Sequence, residues 1–360
     1  MKVALVYDRV NKWGGAERDL LALHELFPDA PLYTSVYKPL TSSWAKVFPK
    51  VIPSFLNKIS FASDKHELFP YLMPIAFETF NFDGYELVIS VTSEAAKGII
   101  TSPKTLHICY CLTPTRYLWS HYDFYFKDRL FKGLTKPVVN YLRRWDKVAA
   151  QRPDIMVAQS MAVGERIKKY YGRDSILIYP PLDVELFGKG PNNQRESFFL
   201  VVSRLVAYKR VDLAIEAFNN LGSPLYIVGV GSEEGRLKAM ANKNIHFLGK
   251  LTEEKLAHYY RKCAAFILPQ EEDFGLAAVE AQAAGAPVIA YRAGGALDIV
   301  VEGKSGLFFD KQNSRELIAA IGRFRGREFN YSEISRGAKI FSKEAFKKKF
   351  RKLLQENGRV

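Results

Sequence analysis

No run of about 18 uncharged apolar residues occurs anywhere in the 360-residue chain, so no transmembrane helix is expected. The opening MKVALVYDRV breaks its short apolar run at Asp8 and Arg9, which reads as a first strand and not as a signal peptide. Cysteine is scarce: Cys109, Cys111 and Cys263 are the three. None forms a C-x-x-C pair, which argues against a zinc or redox centre and for reduced thiols in the cytoplasm. No D-x-D at a strand end and no cluster of histidines and carboxylates suggests a metal. Repeats and low-complexity tracts are also missing, so solenoid and disordered classes drop out.

What is present is an apolar share of 48% and a net charge of 52 − 38 = +14. The first is enough for two cores, and the length suggests two domains. The second points to nucleic acid, an anionic membrane or a phosphorylated ligand. No basic helix suited to a major groove and no base-stacking motif is evident, so nucleic acid is not expected. Residues 126–152, FKDRLFKGLTKPVVNYLRRWDKVAAQR, mix bases with Phe, Leu, Tyr and Trp. That mixture suits either an anionic lipid surface or a solvated helix with buried stems.

Strand and helix patterns alternate. KVALVY precedes the Gly-rich WGGAER, then a helix with Ala16, Leu20, Leu23 and Phe27 on one stripe. Residues 38–82 are irregular and aromatic. LVISV, LHICYCL and DIMVAQS read as further strands, with a helix expected after the first and a Ser160 cap after the last. Near residue 180 the texture turns to Pro, Gly and Asn, the best boundary in the chain. Strands then recur at FFLVVS, PLYIVG, IHFLG, AAFIL and PVIAY, separated by helices, which implies parallel sheets covered on both faces. At the end, Phe346, Phe350, Leu353 and Leu354 form one apolar stripe on a basic helix.

Two stretches carry candidate chemistry. In VSRLVAYKRVDLAIEAF, Arg204 and Lys209 follow a strand and precede a helix, where two cations can converge on a diphosphate. In EEDFGLAAVEAQAAGAP, Glu272 lies in a loop and Glu280 on the helix behind it, from about Leu276 to Ala284, with Gly285 and Pro287 ending it. That spacing puts the acids roughly 7 Å apart along the helix axis. It suits a ligand with hydroxyls at both ends and a phosphate over the helix start. Gly294 and Gly295 let backbone approach the same place. In the first half, Gly14 and Gly15 stand at a helix start. His107 lies within a strand, where a histidine is either a hydrogen-bonded core residue or a contact for a sugar.

Taken together, EEDFGLAAVEA, SRLVAYKR, GGAER and IYPPLDVELF resemble the family 4 retaining glycosyltransferases, over nearly the whole chain. The resemblance implies a GT-B α/β fold: two Rossmann-like domains facing across a cleft, residues 1–179 and 180–341, with a final helix at about 342–357 returning to the first. It implies that Arg204 and Lys209 bind the donor diphosphate, with Gly15 facing it. Glu280 would bind the ribose. Glu272, with the backbone of Phe274, Gly275 and Leu276, would bind the hexose. No metal or cofactor is implied.

A narrower resemblance is to bacterial mannosyltransferases of surface-polysaccharide assembly, through HICYCLTPTRYLW. Leu112 stands where those proteins carry a histidine, so a catalytic contact to the sugar would fall to His107 or His121. The implied reaction moves a hexose, mannose from GDP-mannose or a hexose from a UDP-sugar, to a lipid-linked or saccharide acceptor. The enzyme would work at the inner face of the cell membrane. A nucleotide-sugar epimerase or phosphorylase on the same fold is the alternative.

Overall fold

The structure, a computed structural model, describes residues 1–59, 61–64, 68–125, 129–188 and 195–358. It divides into two compact units: Met1–Tyr179 with Phe346–Val360, and Pro180–Ala345.

The first unit is built on seven parallel strands among the described residues. They are β1 (Val3–Tyr7), β2 (Leu32–Thr34), β3 (Val51–Pro53), β4 (Leu87–Thr92), β5 (Leu106–Cys111), β6 (Ile155–Ala158) and β7 (Ile176–Leu177), in the order β3-β2-β1-β4-β5-β6-β7. The side chains of β1 and β4, and of β5 after Leu106, are buried on both faces, as near-continuous apolar runs require. The helix Ala16–Leu26 lays Leu20 and Leu23 into one core. Ser160 caps the helix Met161–Tyr171, accepting from the Val163 amide at 3.1 Å. The final helix, Lys343–Glu356, buries Phe346, Phe350, Leu353 and Leu354 in the first unit's core. Phe346 and Phe350 meet the Tyr110 ring of β5 at 5.8 and 6.0 Å between centroids. The chain therefore returns to the unit in which it began.

Two expectations fail here. The helix expected after β4 is a single tight turn, Ala96–Gly98. Asp8, at the end of β1, explains it. Its carboxylate accepts from the amides of Ser93, Ala95 and Ala96 and from the Thr92 hydroxyl at 2.6–2.9 Å, so the local amides are committed to a side chain.

His107 is also not a sugar contact. It is fully buried in β5, its Nε2 is 2.8 Å from the Ser90 hydroxyl, and its own amide donates to Asp154. Burial, helped by Arg173 and Arg152, lowers its pKa to about 3. The folded state therefore holds a neutral ring that the unfolded chain would protonate below about pH 6.5. His107 contributes stability fully above that value and progressively less as pH falls toward 3. Between pH 7 and 5 the wild type should lose about 2 kcal/mol more stability than His107→Gln, measured by urea unfolding. Equal pH slopes in the two proteins would contradict this.

The second unit has six parallel strands among its described residues: β8 (Phe199–Val202), β9 (Leu225–Val228), β10 (Ile245–Gly249), β11 (Ala265–Leu268), β12 (Val288–Tyr291) and β13 (Gly306–Phe309), in the order β10-β9-β8-β11-β12-β13. The helices Val211–Leu221 and Ser314–Arg325 cover one face through Leu213, Phe218, Leu317 and Ile321. The strand order reverses between β8 and β11. In such sheets ligands bind beyond the carboxyl ends of the two strands flanking the reversal.

Candidate functional site

Two loops leave the second sheet at that reversal: residues 203–210 after β8 and 269–275 after β11. Lys209, at the end of the turn Ala207–Lys209, is 8% exposed. Its ammonium donates to Glu272 Oε1, and Gln270 Nε2 donates to the same oxygen at 2.7 Å. The Lys209–Glu272 pair is mostly buried, with side-chain exposures of 11% and 17%. Lys209 also lies 5.1 Å from the Tyr208 ring centroid, while Arg204 donates to the Tyr208 hydroxyl. Arg204 and Lys209 thus share one tyrosine as a support.

The helix behind the second loop runs Leu276–Ala283, with Gly275 before it at φ 110° and Gly285 after it at φ 76°. Its first amides have no partner within the helix, as at every helix start. Phe274 is buried with its ring edge-on to Phe341 at 5.5 Å, so this residue presents only backbone to a ligand. The Gly294–Gly295 turn presses on the same loop. A Cβ on Gly294 would lie 2.2 Å from the Glu272 carbonyl, and one on Gly295 would lie 2.1 Å from that of Phe274. The Gly295 amide donates to the Glu272 carbonyl at 2.9 Å. Only glycine permits this contact, which sets the height of the loop above the sheet.

Glu280 sits on the fifth position of the helix and is 6% exposed. The buried Tyr260 hydroxyl donates to its Oε2 at 3.0 Å. The structure therefore joins Lys209 to Glu272 directly, and places Arg204, Gly275, Leu276 and Glu280 on the same loops and helix. Gly15 and His107 belong to the first unit. Gly15 precedes the helix Ala16–Leu26 with φ −80° and ψ −40°, and Gly14 packs beside the Glu17 carboxylate. Leu112 is buried, and His121 has Ser120 beside its Nδ1 at 2.9 Å.

Sequence reasoning missed Gln270 and Tyr260. Gln270 lies two residues past β11, after Pro269, and a polar residue so near the strand end was the available signal. Tyr260 sits in an ordinary amphipathic helix, Glu253–Lys262, and nothing in the spacing marks it.

The reversal in the first unit, between β1 and β4, is arranged differently. There the chain's own Asp8 carboxylate takes the loop amides, and Arg9 pairs with Glu94 at 2.9 Å. An anion would have to compete with Asp8 at that position. In the second unit the corresponding loops offer a cation, an acceptor and a helix start together.

Residues 183–341 match the family Glycosyl transferases group 1. The matched stretch contains Arg204, Lys209, Glu272 and Glu280, and it lies wholly within the second unit. The chain is 29% identical over 208 residues to an uncharacterised glycosyltransferase of Methanocaldococcus jannaschii, covering 56% of this chain and 58% of that protein. It is 36% identical over 138 residues to a GDP-mannose-dependent alpha-mannosyltransferase of Corynebacterium glutamicum, covering 38% of this chain and 33% of that one. It thus spans under two thirds of the length of either curated relative. The structure resembles Anabaena Alr3699/HepE, solved in complex with UDP and glucose, with a TM-score of 0.70 at 19% identity over 99% of each chain. That likeness shows the fold, GT-B, with two parallel-sheet α/β units.

Proposed function

We propose that the protein is a retaining glycosyltransferase that moves a hexose from a nucleoside diphosphate sugar to a saccharide or lipid-linked acceptor. The observation that carries this reading is the Lys209–Glu272 pair, set at the strand reversal of the second unit beside a helix start. Lysine has three donors, so Lys209 can keep one on Glu272 and direct the others to a diphosphate. Arg204 adds a second cation. Glu272, with the backbone of Phe274, Gly275 and Leu276, accepts and donates to the hexose. Glu280, oriented by Tyr260, takes the ribose diol.

In the step itself, the bond from the anomeric carbon to the phosphate oxygen breaks and the acceptor hydroxyl oxygen bonds to that carbon. The hydroxyl proton passes to the departing diphosphate. Charge grows on that leaving group, where Lys209 and Arg204 neutralise it in the place a metal ion would otherwise take. With no second carboxylate assigned to the opposite face of the sugar, attack from the leaving-group side is the reading we adopt.

We infer GDP-mannose as donor, because the matched Corynebacterium protein is named for it. A UDP-hexose is the second reading, because the Anabaena structure holds UDP and glucose. Thermal-shift titration with GDP, UDP and ADP should give the largest stabilisation with GDP, about 2.7 kcal/mol at a hundredfold excess over Kd. A shift with UDP alone selects the second reading, and no shift with any of the three contradicts both.

We also propose that the enzyme works in the cytoplasm against an anionic membrane. No helix among the described residues is long and apolar enough to cross one. Residues 126–128 of the basic aromatic stretch lie outside the described residues. The helix Arg129–Ala149 buries Val139, Leu142 and Asp146 and exposes Val138, Tyr141 and Val148 among the exposed Lys136, Arg144 and Lys147. Apolar tips between bases suit an interfacial surface. Phosphatidylglycerol vesicles should sediment the protein at low salt, and Lys136→Glu/Arg144→Glu/Lys147→Glu should abolish this. Unchanged sedimentation of the triple variant would remove the helix from that role.

A further inference from the structure

The loops carrying Lys209 and Glu272 are tied a second time, through residues the proposed chemistry does not use. Arg210 Nη1 donates to Gln312 Oε1 at 3.0 Å, and Gln312 Nε2 donates to the Pro269 carbonyl at 3.0 Å. Consecutive residues of one loop therefore reach the other loop separately. Lys209 meets Glu272 directly, and Arg210 meets Pro269 through the Gln312 amide. Gln312 comes from a third segment, between β13 and the helix Ser314–Arg325.

Arg210 is also a backbone exception. It has φ 49° and ψ 35°, left-handed, one of two non-glycine residues with positive φ among those described. Such a conformation in arginine is unfavourable and persists only where surrounding contacts fix it. Arg210 is the single link between the turn Ala207–Lys209 and the helix Val211–Leu221. Its backbone therefore sets the angle at which Lys209 leaves the helix. Its side chain is held by Gln312 and, at 3.4 Å, by Asp212.

We propose that Gln312 is a positioning residue for the donor site. By accepting from Arg210 and donating to Pro269, it fixes the left-handed link on one side and the start of the Gln270–Glu272 loop on the other. It thereby sets where the Lys209 ammonium stands relative to the Glu272 carboxylate. The role needs an amide: leucine does neither job, and a glutamate accepts from Arg210 but has no proton for the Pro269 carbonyl. The inference rests on the donor-site reading above.

Calorimetric titration with GDP and UDP tests it, on the full chain and on Gln312→Leu, Gln312→Glu, Lys209→Ala and Gln312→Leu/Lys209→Ala. Gln312→Leu should weaken the tighter nucleotide about tenfold, since a small displacement of a positioned group carries such losses. Gln312→Glu should lie between it and the wild type. In the Lys209→Ala background, Gln312→Leu should cause no further loss, because its effect passes through Lys209. A general structural role would give independent, multiplying losses, and that result overturns the proposal. So does wild-type affinity in Gln312→Leu when Lys209→Ala binds poorly. If Lys209→Ala itself binds as the wild type does, the donor-site reading fails and takes this inference with it. Should Gln312→Leu fail to fold, Gln312→Glu carries the same comparison.

Discussion

Glu272→Ala and Lys209→Ala are each expected to cut donor turnover by about 10²–10³-fold, the range seen when one preorganised group at a developing charge is removed. The two losses arise differently. Lys209→Ala removes the cation beside the leaving diphosphate and leaves Glu272 with Gln270 as its remaining described donor of the pair. Glu272→Ala removes the acceptor for the hexose and frees the ammonium that was held in place. Because the two groups act as one unit, the double variant should be little worse than the weaker single one. Losses that multiply would mean the two act at separate places. Near-wild-type turnover in both singles would end the proposed role of this site. Assays of donor hydrolysis with the nucleotide sugar selected by thermal shift supply the numbers, and circular dichroism confirms that the variants are folded.

In the first unit, Lys97→Met should destabilise the protein by about 3–5 kcal/mol, the cost of leaving one member of a buried ion pair alone. Lys97 and Asp146 are each about 1% exposed, with Nζ and Oδ1 2.6 Å apart. Burial by itself would lower the Lys97 pKa, but Asp146 outweighs it and holds the value above the usual one. The Asp146 carboxylate is fully engaged: Thr115 donates at 3.0 Å, Trp119 at 2.7 Å and Tyr171 at 2.8 Å. One side chain on the helix Arg129–Ala149 thus ties the turn Ala96–Gly98, the segment around Thr115 and the helix Met161–Tyr171. Adding Asp146→Asn to Lys97→Met should recover at least about 1 kcal/mol, since the uncompensated charge is gone. Urea midpoints of the three proteins decide it. A single variant within about 0.5 kcal/mol of wild type would show that the pair contributes little.

These two sites differ in how far the sequence discloses them. The donor loops were readable because each element announces itself. AAFIL reads as a strand, Gly285 and Pro287 stop a helix, and acids and cations fall at strand ends where ligands bind. The final helix was readable for the same kind of reason, since Phe346, Phe350, Leu353 and Leu354 form a stripe that the structure buries. The Lys97–Asp146 pair was not readable. The two residues are far apart in the chain, and nothing local distinguishes a buried lysine from a solvated one. The strands β2, β3 and β7 are two or three residues long, too short to show a period. The missing helix after β4 turns on Asp8, 84 residues before Thr92, whose carboxylate takes amides that a helix would have used. His107 could be read either way from its strand, and its burial decides for the core.

The most direct test is a crystal structure with the bound nucleoside diphosphate sugar. A diphosphate is expected within about 3 Å of Lys209 Nζ and over the start of the helix Leu276–Ala283, with the hexose on Glu272 and the ribose on Glu280. A nucleotide seated in the first unit's sheet, or one that leaves Lys209 and Glu272 paired only with each other, would contradict it.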